Sequence, residues 1–436
     1  MAFDSVIFTA LSIEGEQPTS LAVREGIIAD RGNHIVAQPG DTVIDCHGWI
    51  GLPGLVDPHT HLREPGIEEA ETVETGSRAA AAGGYTCVHA MANTRPVSDS
   101  VDIVEHVLDL GKQSGWVDVR PVGAVTKGLE GKELSDLVGM ADSRARVRMF
   151  SDDGVCVSDS LLMRQALEII KDFDGVIAQH AQDPRLTEQA QMNEGALAEE
   201  LGLKGWPPAA EESIIARDVL FAKHFHSRVH ICHLSTKGAV EIVRVAKQHG
   251  INVTAEATPH HLYLTQEKAR ARDPRFKVNP PLRTQADVEA VRDGLEDGTI
   301  DCIGTDHAPH PDTAKSCGWE QGAFGMTGLE TALPIIIDTM VKTGRMDWHD
   351  VARVMSSTPA RIGLVEDQGR PLEKGNPANI CVIDPHAQRV VRASQHYSRS
   401  RNTPFEEMVL PGHVMYTMFH GRFSVREGQL VEGMSR

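Results

Sequence analysis

No stretch of this 436-residue chain approaches the run of about eighteen apolar residues that a membrane-spanning helix needs. The N-terminus, Met1-Ala-Phe-Asp-Ser-Val-Ile-Phe8, has no basic stretch followed by an apolar core, so no secretion signal is expected. Positive charge is also short: Lys plus Arg number 43 against 61 Asp plus Glu, a net charge of −18. That balance argues against DNA, RNA or anionic membranes as main partners. It leaves room for an anionic small molecule, because one arginine or metal ion can dominate a small pocket. The seven cysteines are scattered, with no Cys-x-x-Cys pair, and sit in apolar runs such as Val229-His-Ile-Cys232 and Ile300-Asp-Cys-Ile303. They read as reduced core residues of a cytoplasmic protein. A Walker-type phosphate loop and a G-x-G-x-x-G opening a helix are both missing, which weakens nucleotide-binding readings.

What is present is a soluble, globular composition, 41% hydrophobic and 24% charged. The length suits one large α/β barrel with a smaller module, or two to three domains. Short alternating apolar segments fill the first fifty residues (Ser5-Val-Ile-Phe8, Ser20-Leu-Ala-Val23, Gly26-Ile-Ile28, Thr42-Val-Ile-Asp45) and recur near the end (Asn379-Ile-Cys-Val-Ile383, Arg389-Val-Val-Arg392, Val414-Met-Tyr-Thr-Met-Phe419, Arg422-Phe-Ser-Val425). Short strands separated by Gly, Pro and Asn predict one small β-sandwich-like module assembled from both termini, residues 1–52 and 366–436. Between them, residues 53–365 alternate strand and helix. Eight strand-like runs end near His61, Met91, Val125, Phe150, Gln179, Cys232, Ala255 and Gly304, with helical segments such as Ser160–Ile170 and 237–247 between. That count and order predict a (β/α)8 barrel, an α/β fold.

The most informative local feature is the pair His59 and His61 in Gly54-Leu-Val-Asp-Pro-His-Thr-His-Leu-Arg63. Side chains two apart on a strand point to one face, so both imidazoles can reach one metal ion. Imidazole suits zinc and its first-row neighbours, and a metal at a strand end is a ready way to activate water. Barrel chemistry sits at the carboxyl ends of strands, and polar residues gather at the predicted ends here. Asn93 follows strand 2, Asp152 and Asp153 follow strand 4, His180 ends strand 5, His233 ends strand 6 and Asp306 ends strand 8. Any one of these could be a cap or a packed core residue. Together they make His, His, Asp, His, His, Asp, a complete ligand list for two metals sharing a bridge. Arg63, two beyond His61 on the same face, fits a bidentate carboxylate clamp. His260 and His261 in Thr258-Pro-His-His261 read as supporting rather than ligating residues. The 310–325 segment beside Asp306 reads as a mobile lid.

The motifs Asp57-Pro-His-Thr-His-Leu-Arg-Glu-Pro-Gly66, Met91-Ala-Asn-Thr-Arg-Pro96, Phe150-Ser-Asp-Asp-Gly154, Val278-Asn-Pro-Pro-Leu-Arg283, Gly304-Thr-Asp-His-Ala-Pro309 and Gly322-Ala-Phe-Gly325 resemble the amidohydrolase superfamily through nearly the whole chain. Within it the chain is similar to bacterial type I dihydroorotases. The resemblance implies reversible interconversion of N-carbamoyl-L-aspartate and L-dihydroorotate in pyrimidine biosynthesis, with one or two zinc ions per subunit. It implies metal ligation by His59, His61, Asp153, His180, His233 and Asp306. Many relatives bridge two metals with a carbamylated lysine on strand 4; this chain has Asp152 and Asp153 there, and spacing to His180 aligns Asp153 with the bridge. Asp306 is implied as the general acid–base group. His61, Arg63, Asn93 and His310 are implied at the substrate carboxylate, and Asn279 with the backbone at Phe324 and Gly325 at the ring edges. A homo-oligomer and association with other pyrimidine-pathway enzymes are also expected. Two rival readings are another cyclic amidase (a hydantoinase or allantoinase) and a non-catalytic assembly scaffold; Arg63 and the missing lysine oppose the first, the full ligand set the second.

Overall fold

A computed structural model describes residues 3–431. Eight short parallel strands run Leu55–Thr60, Tyr85–Ala90, Asp118–Pro121, Met149–Phe150, Val176–Gln179, Arg228–Ile231, Val253–Ala257 and Cys302–Ile303. The first three pair in order, as do the last five. Single bridges close the ring: Gly123 with Phe150 joins the third strand to the fourth, and Thr60 with His307 joins the first to the end of the eighth. The expected (β/α)8 barrel is therefore present, with all eight strands where the apolar runs placed them. Helices such as Ser160–Ile170, Ala209–Phe225 and Lys237–Gln248 pack outside. Helix Lys237–Gln248 shows why: Val240, Val243 and Ala246 share one buried stripe at helical spacing, while Thr236 caps its start by accepting from the Ala239 amide.

Both termini build a second layer. Strands Val6–Ile13, Thr19–Arg24, Ile27–Gly32, Thr42–Asp45 and Ile50–Pro53 join Ile380–Val390, Val409–Phe419, Arg422–Arg426 and Gln429–Leu430 in one nine-stranded sheet. Ile50–Pro53 is the seam, parallel to Val6–Ile13 and antiparallel to Ile380–Val390. The sheet curls into a sandwich: Phe8 packs edge-on against Tyr416 and Phe423, at centroid separations of 5.9 and 6.2 Å, although their strands are not neighbours in the sheet. The seam runs directly into Leu55–Thr60, so the module anchors the strand that carries the histidine pair.

No described helix is long and apolar enough to cross a membrane. All seven cysteines are free, and six are buried.

Candidate metal centre and substrate pocket

His59 is the last but one residue of the first barrel strand, and His61 lies just past its end. Their Nε2 atoms converge on two carboxylates. His59 Nε2 lies 3.4 Å from Asp153 Oδ1 and 3.5 Å from Asp306 Oδ1. His61 Nε2 lies 3.3 Å from Asp153 Oδ2 and 3.0 Å from Asp306 Oδ1. On the far side of Asp153, His180 Nδ1 is 3.2 Å and His233 Nε2 is 3.6 Å from Oδ1. Asp153 thus sits between two histidine pairs, one from strand 1 and one from strands 5 and 6, and all of these side chains are buried.

The outward hydrogen bonds decide what the inward nitrogens present. His59 Nδ1 lies 2.5 Å from Glu256 Oε1, His61 Nδ1 2.9 Å from Asn93 Oδ1, and His180 Nε2 2.8 Å from Gln182 Oε1. Each outward partner is an acceptor, so each outward nitrogen carries the proton and donates it. In the neutral rings the inward nitrogens are then lone pairs. His59 Nε2 is buried with no hydrogen-bond partner, and His180 Nδ1 stands only 2.8 Å from His233 Nε2. Ring nitrogens and carboxylates packed this closely call for a cation between them, a proton or a metal ion, and the His₄Asp₂ donor set suits zinc or a similar ion. The electrostatics agree. Burial opposes charge on Asp153 and Asp306, yet the neighbouring imidazoles overcome it and hold both carboxyls below the usual range. Burial likewise disfavours a charged His59, and Glu256 and Asp153 reverse that, raising it well above its ordinary pKa. A field that binds protons this tightly also binds a metal cation.

Adjacent Asp152 faces the other way. Its Oδ1 accepts from the Val125 and Thr126 amides at 2.7 and 2.9 Å, and its Oδ2 from the Thr126 hydroxyl. It ties the third strand's loop to the fourth, leaving Asp153 toward the histidines. Asp57 does the same between strands 1 and 8, accepting from the Thr305 amide at 3.0 Å, the Thr305 hydroxyl at 2.5 Å and the His59 amide at 3.1 Å. His233 and Asp306 both adopt left-handed backbone, at φ 33° and 46°. Strained conformations of non-glycine residues cluster at functional sites.

Arg63 follows in the same strained class, at φ 64°. It is 9% exposed, and its Nε donates to Pro309 O at 3.2 Å. No carboxylate among the described residues lies within ion-pair distance of its guanidinium. His310 Nε2 lies 3.5 Å from Arg63 Nη2 but donates to Phe324 O at 2.7 Å. Two donors do not bond, so the fork stays open toward the site. Asn93, expected at the substrate carboxylate, has its side-chain carbonyl engaged in orienting His61. Asn279 donates from Nδ2 to Gln182 Oε1 at 3.0 Å, and its Oδ1 is buried without a partner. The Gly325 amide donates to Lys277 O at 2.9 Å. Together with the His310 bond, this occupies the Gly325 N–H and Phe324 C=O within the protein. Only glycine fits at 325: its φ is +140°, and a Cβ would meet Ala308 Cβ at 2.8 Å and His310 Nε2 at 2.9 Å.

His261, read from the sequence as supporting, has both ring nitrogens engaged outside the metal cluster. Its Nε2 donates to Pro280 O at 3.2 Å and its Nδ1 accepts from the Thr258 hydroxyl at 2.8 Å, buttressing the Asn279 segment. His260 is buried, with Nε2 unpartnered. Sequence reasoning missed Glu256 and Gln182. A signal existed for Glu256: an acid in the otherwise apolar Ala255-Glu-Ala257 of a barrel strand calls for a buried cationic or N–H partner.

Comparison with known proteins agrees with this geometry. Residues 48–239 match the family model described as Dihydro-orotase-like. The protein named Dihydroorotase from Leifsonia xyli is 55% identical over 434 residues, covering 100% of this chain and 99% of that one. The Dihydroorotase of Streptomyces coelicolor is 56% identical, covering 95% and 97%, and that of Mycobacterium tuberculosis 52% identical, covering 96% and 97%. Among solved structures, L-hydantoinase (dihydropyrimidinase) from Arthrobacter aurescens superposes with a TM-score of 0.88 at 25% identity, over 98% of this chain and 97% of that one. A D-hydantoinase from Thermus sp. gives 0.86 at 23% identity, over 99% and 97%. These likenesses carry the barrel-plus-sandwich fold, while the far higher sequence identities to dihydroorotases carry the family. With more than half of its residues shared over essentially its whole length, the chain belongs to the dihydroorotase family.

Proposed function

We propose that the chain is a metal-dependent dihydroorotase that reversibly cyclises N-carbamoyl-L-aspartate to L-dihydroorotate, a step in UMP synthesis. One observation carries the substrate assignment: Arg63 is a buried guanidinium beside the histidine cluster with no carboxylate partner among the described residues. A buried unpaired cation is costly, and a substrate carboxylate relieves that cost with two charge-assisted hydrogen bonds. His59, His61, Asp153, His180, His233 and Asp306 would hold the metal, with Asp153 between the two histidine pairs. We favour zinc, one or two ions, on the nitrogen-rich donor set. When bound, the metal supplies Lewis acidity, polarising the amide carbonyl and making water nucleophilic near neutral pH.

The protein's own groups do the rest. In the hydrolytic direction Asp306 accepts a proton from water as its oxygen attacks the ring amide carbon, then delivers that proton to the ring nitrogen as the carbon–nitrogen bond breaks. In the synthetic direction Asp306 takes the proton from the attacking ureido nitrogen and returns it to the departing carboxylate oxygen, which takes up a second proton from solvent and leaves as water. Arg63 would hold the substrate carboxylate together with Asn93 Nδ2, His310, whose Nε2–H goes to Phe324 O, would line that end of the pocket, and Asn279 Oδ1 would accept from a ring N–H. His61 both ligates and borders the substrate; Phe324 and Gly325 form the adjoining wall. A hydantoinase reading is weaker, because its substrate need not satisfy Arg63 and because the strand-4 position offers aspartate rather than lysine. The free, mainly buried thiols support a cytoplasmic location. A homo-oligomer and association with other pyrimidine-pathway enzymes stay part of the proposal. The test is dihydroorotate hydrolysis by purified protein, with metal content measured on the same sample. Turnover that tracks metal content is expected; metal-loaded protein that leaves dihydroorotate intact overturns the reading.

A further inference from the structure

Two lysines near the pocket are buried without an acidic partner among the described residues. Lys277 is 2% exposed and Lys315 7%. Lys277 Nζ donates to Trp319 O at 2.8 Å and Glu320 O at 3.1 Å, and stands 4.4 Å from the centre of the Phe324 ring. Lys315 Nζ donates to Ala323 O at 2.6 Å, Pro274 O at 2.9 Å and Lys277 O at 3.2 Å. Burial, and for Lys315 the neighbouring Lys277 charge, work against both ammonium groups. Two adjacent buried cations are an expensive way to hold a surface loop, since buried charges normally pair. Their partners explain the arrangement. Every acceptor is a backbone carbonyl, and the carbonyls come from two segments: 274–277, which leads into Asn279, and 319–323, which leads into Phe324. An ammonium offers three donors that can reach three carbonyls at once, which no neutral side chain can do. The Gly325 amide closes the same junction on Lys277 O.

Resting on the dihydroorotase reading, we propose that Lys277 and Lys315 are positioning residues that lock the 310–325 loop to the Asn279 segment, so that His310, Phe324 and Asn279 meet the substrate as one pre-organised wall. The loop, expected from sequence to be a mobile lid, is held in its working position before substrate arrives. Without the lock, binding must first order the loop, and that cost falls on substrate affinity rather than on metal retention.

The test compares metal-loaded native protein with Lys315→Met and Lys277→Met by amide hydrogen exchange, steady-state kinetics on dihydroorotate and metal analysis. Exchange in 311–325 should rise at least about tenfold, the equivalent of losing one or two hydrogen bonds to a charged group, with exchange elsewhere and metal content as native. KM should rise by a similar factor, with kcat changed less. Native exchange in the loop, or faster exchange with an unchanged KM, overturns the proposal. Failure of both variants to fold, or acceleration spread over the whole barrel, assigns the lysines to general stability and also overturns it. If native protein does not turn over dihydroorotate, the functional reading fails, while the exchange data still decide whether the lysines hold the loop.

Discussion

Glu256 lies 197 positions beyond His59 in the chain, yet its Oε1 sits 2.5 Å from His59 Nδ1. The same carboxylate takes His230 Nε2 at 3.0 Å and the His233 amide at 3.2 Å. It therefore orients one histidine of each pair flanking Asp153, one through its ring and one through its backbone. Glu256→Gln keeps the shape but weakens the acceptor and allows the amide to rotate. Partners of this kind typically change metal affinity about 10–100-fold. Retained metal after dialysis against graded chelator should fall by that order, and a native chelation curve would remove Glu256 from this role.

The two adjacent aspartates should separate cleanly. Asp153→Ala should lose metal and activity. Asp152→Ala should keep appreciable metal but lose stability, because the Val125 and Thr126 amides and the Thr126 hydroxyl lose a buried acceptor. Unsatisfied buried donors cost roughly 1–3 kcal/mol each, so a clear fall in Tm is expected. Reconstitution of metal-free protein should need no bicarbonate, since no strand-4 lysine awaits carbamylation. The reverse order of metal loss, or a strict bicarbonate requirement, would count against Asp153 as the bridge.

Asp306→Asn should leave the fold intact and lower kcat by about a hundred- to ten-thousand-fold, the usual cost of a lost acid–base group. Circular dichroism checks the fold, and a near-native kcat would show that another group carries the proton.

Arg63→Met should reduce kcat/KM for dihydroorotate at least about tenfold, from losing charge-assisted bonds of roughly 1.5–3 kcal/mol. Dihydrouracil, which lacks the carboxylate, should be a poor substrate for native protein and little affected by the change. Equal native rates on the two substrates would favour a hydantoinase-like specificity. An unchanged dihydroorotate rate in the variant would make the arginine structural.

Short-range pattern was enough to read the eight barrel strands, the terminal β-module, the same-face pair His59 and His61, and the carboxyl-end positions of His180, His233 and Asp306. Periodicity and strand alternation are written residue by residue, so they survive in one dimension. Which of Asp152 and Asp153 faces the histidines was open to alignment but not to local pattern, because both sit in one turn and their directions depend on backbone angles. Glu256 and Gln182 acquire their roles only when barrel closure brings the strand ends into one ring, joining residues as far apart as Thr60 and His307. Lys277 and Lys315, ordinary surface residues by composition, are buried only because the 310–325 loop folds down on the Asn279 segment. Tertiary structure alone decided these pairings: a side chain's partner across a closed barrel is set by ring geometry, which no local stretch of sequence encodes.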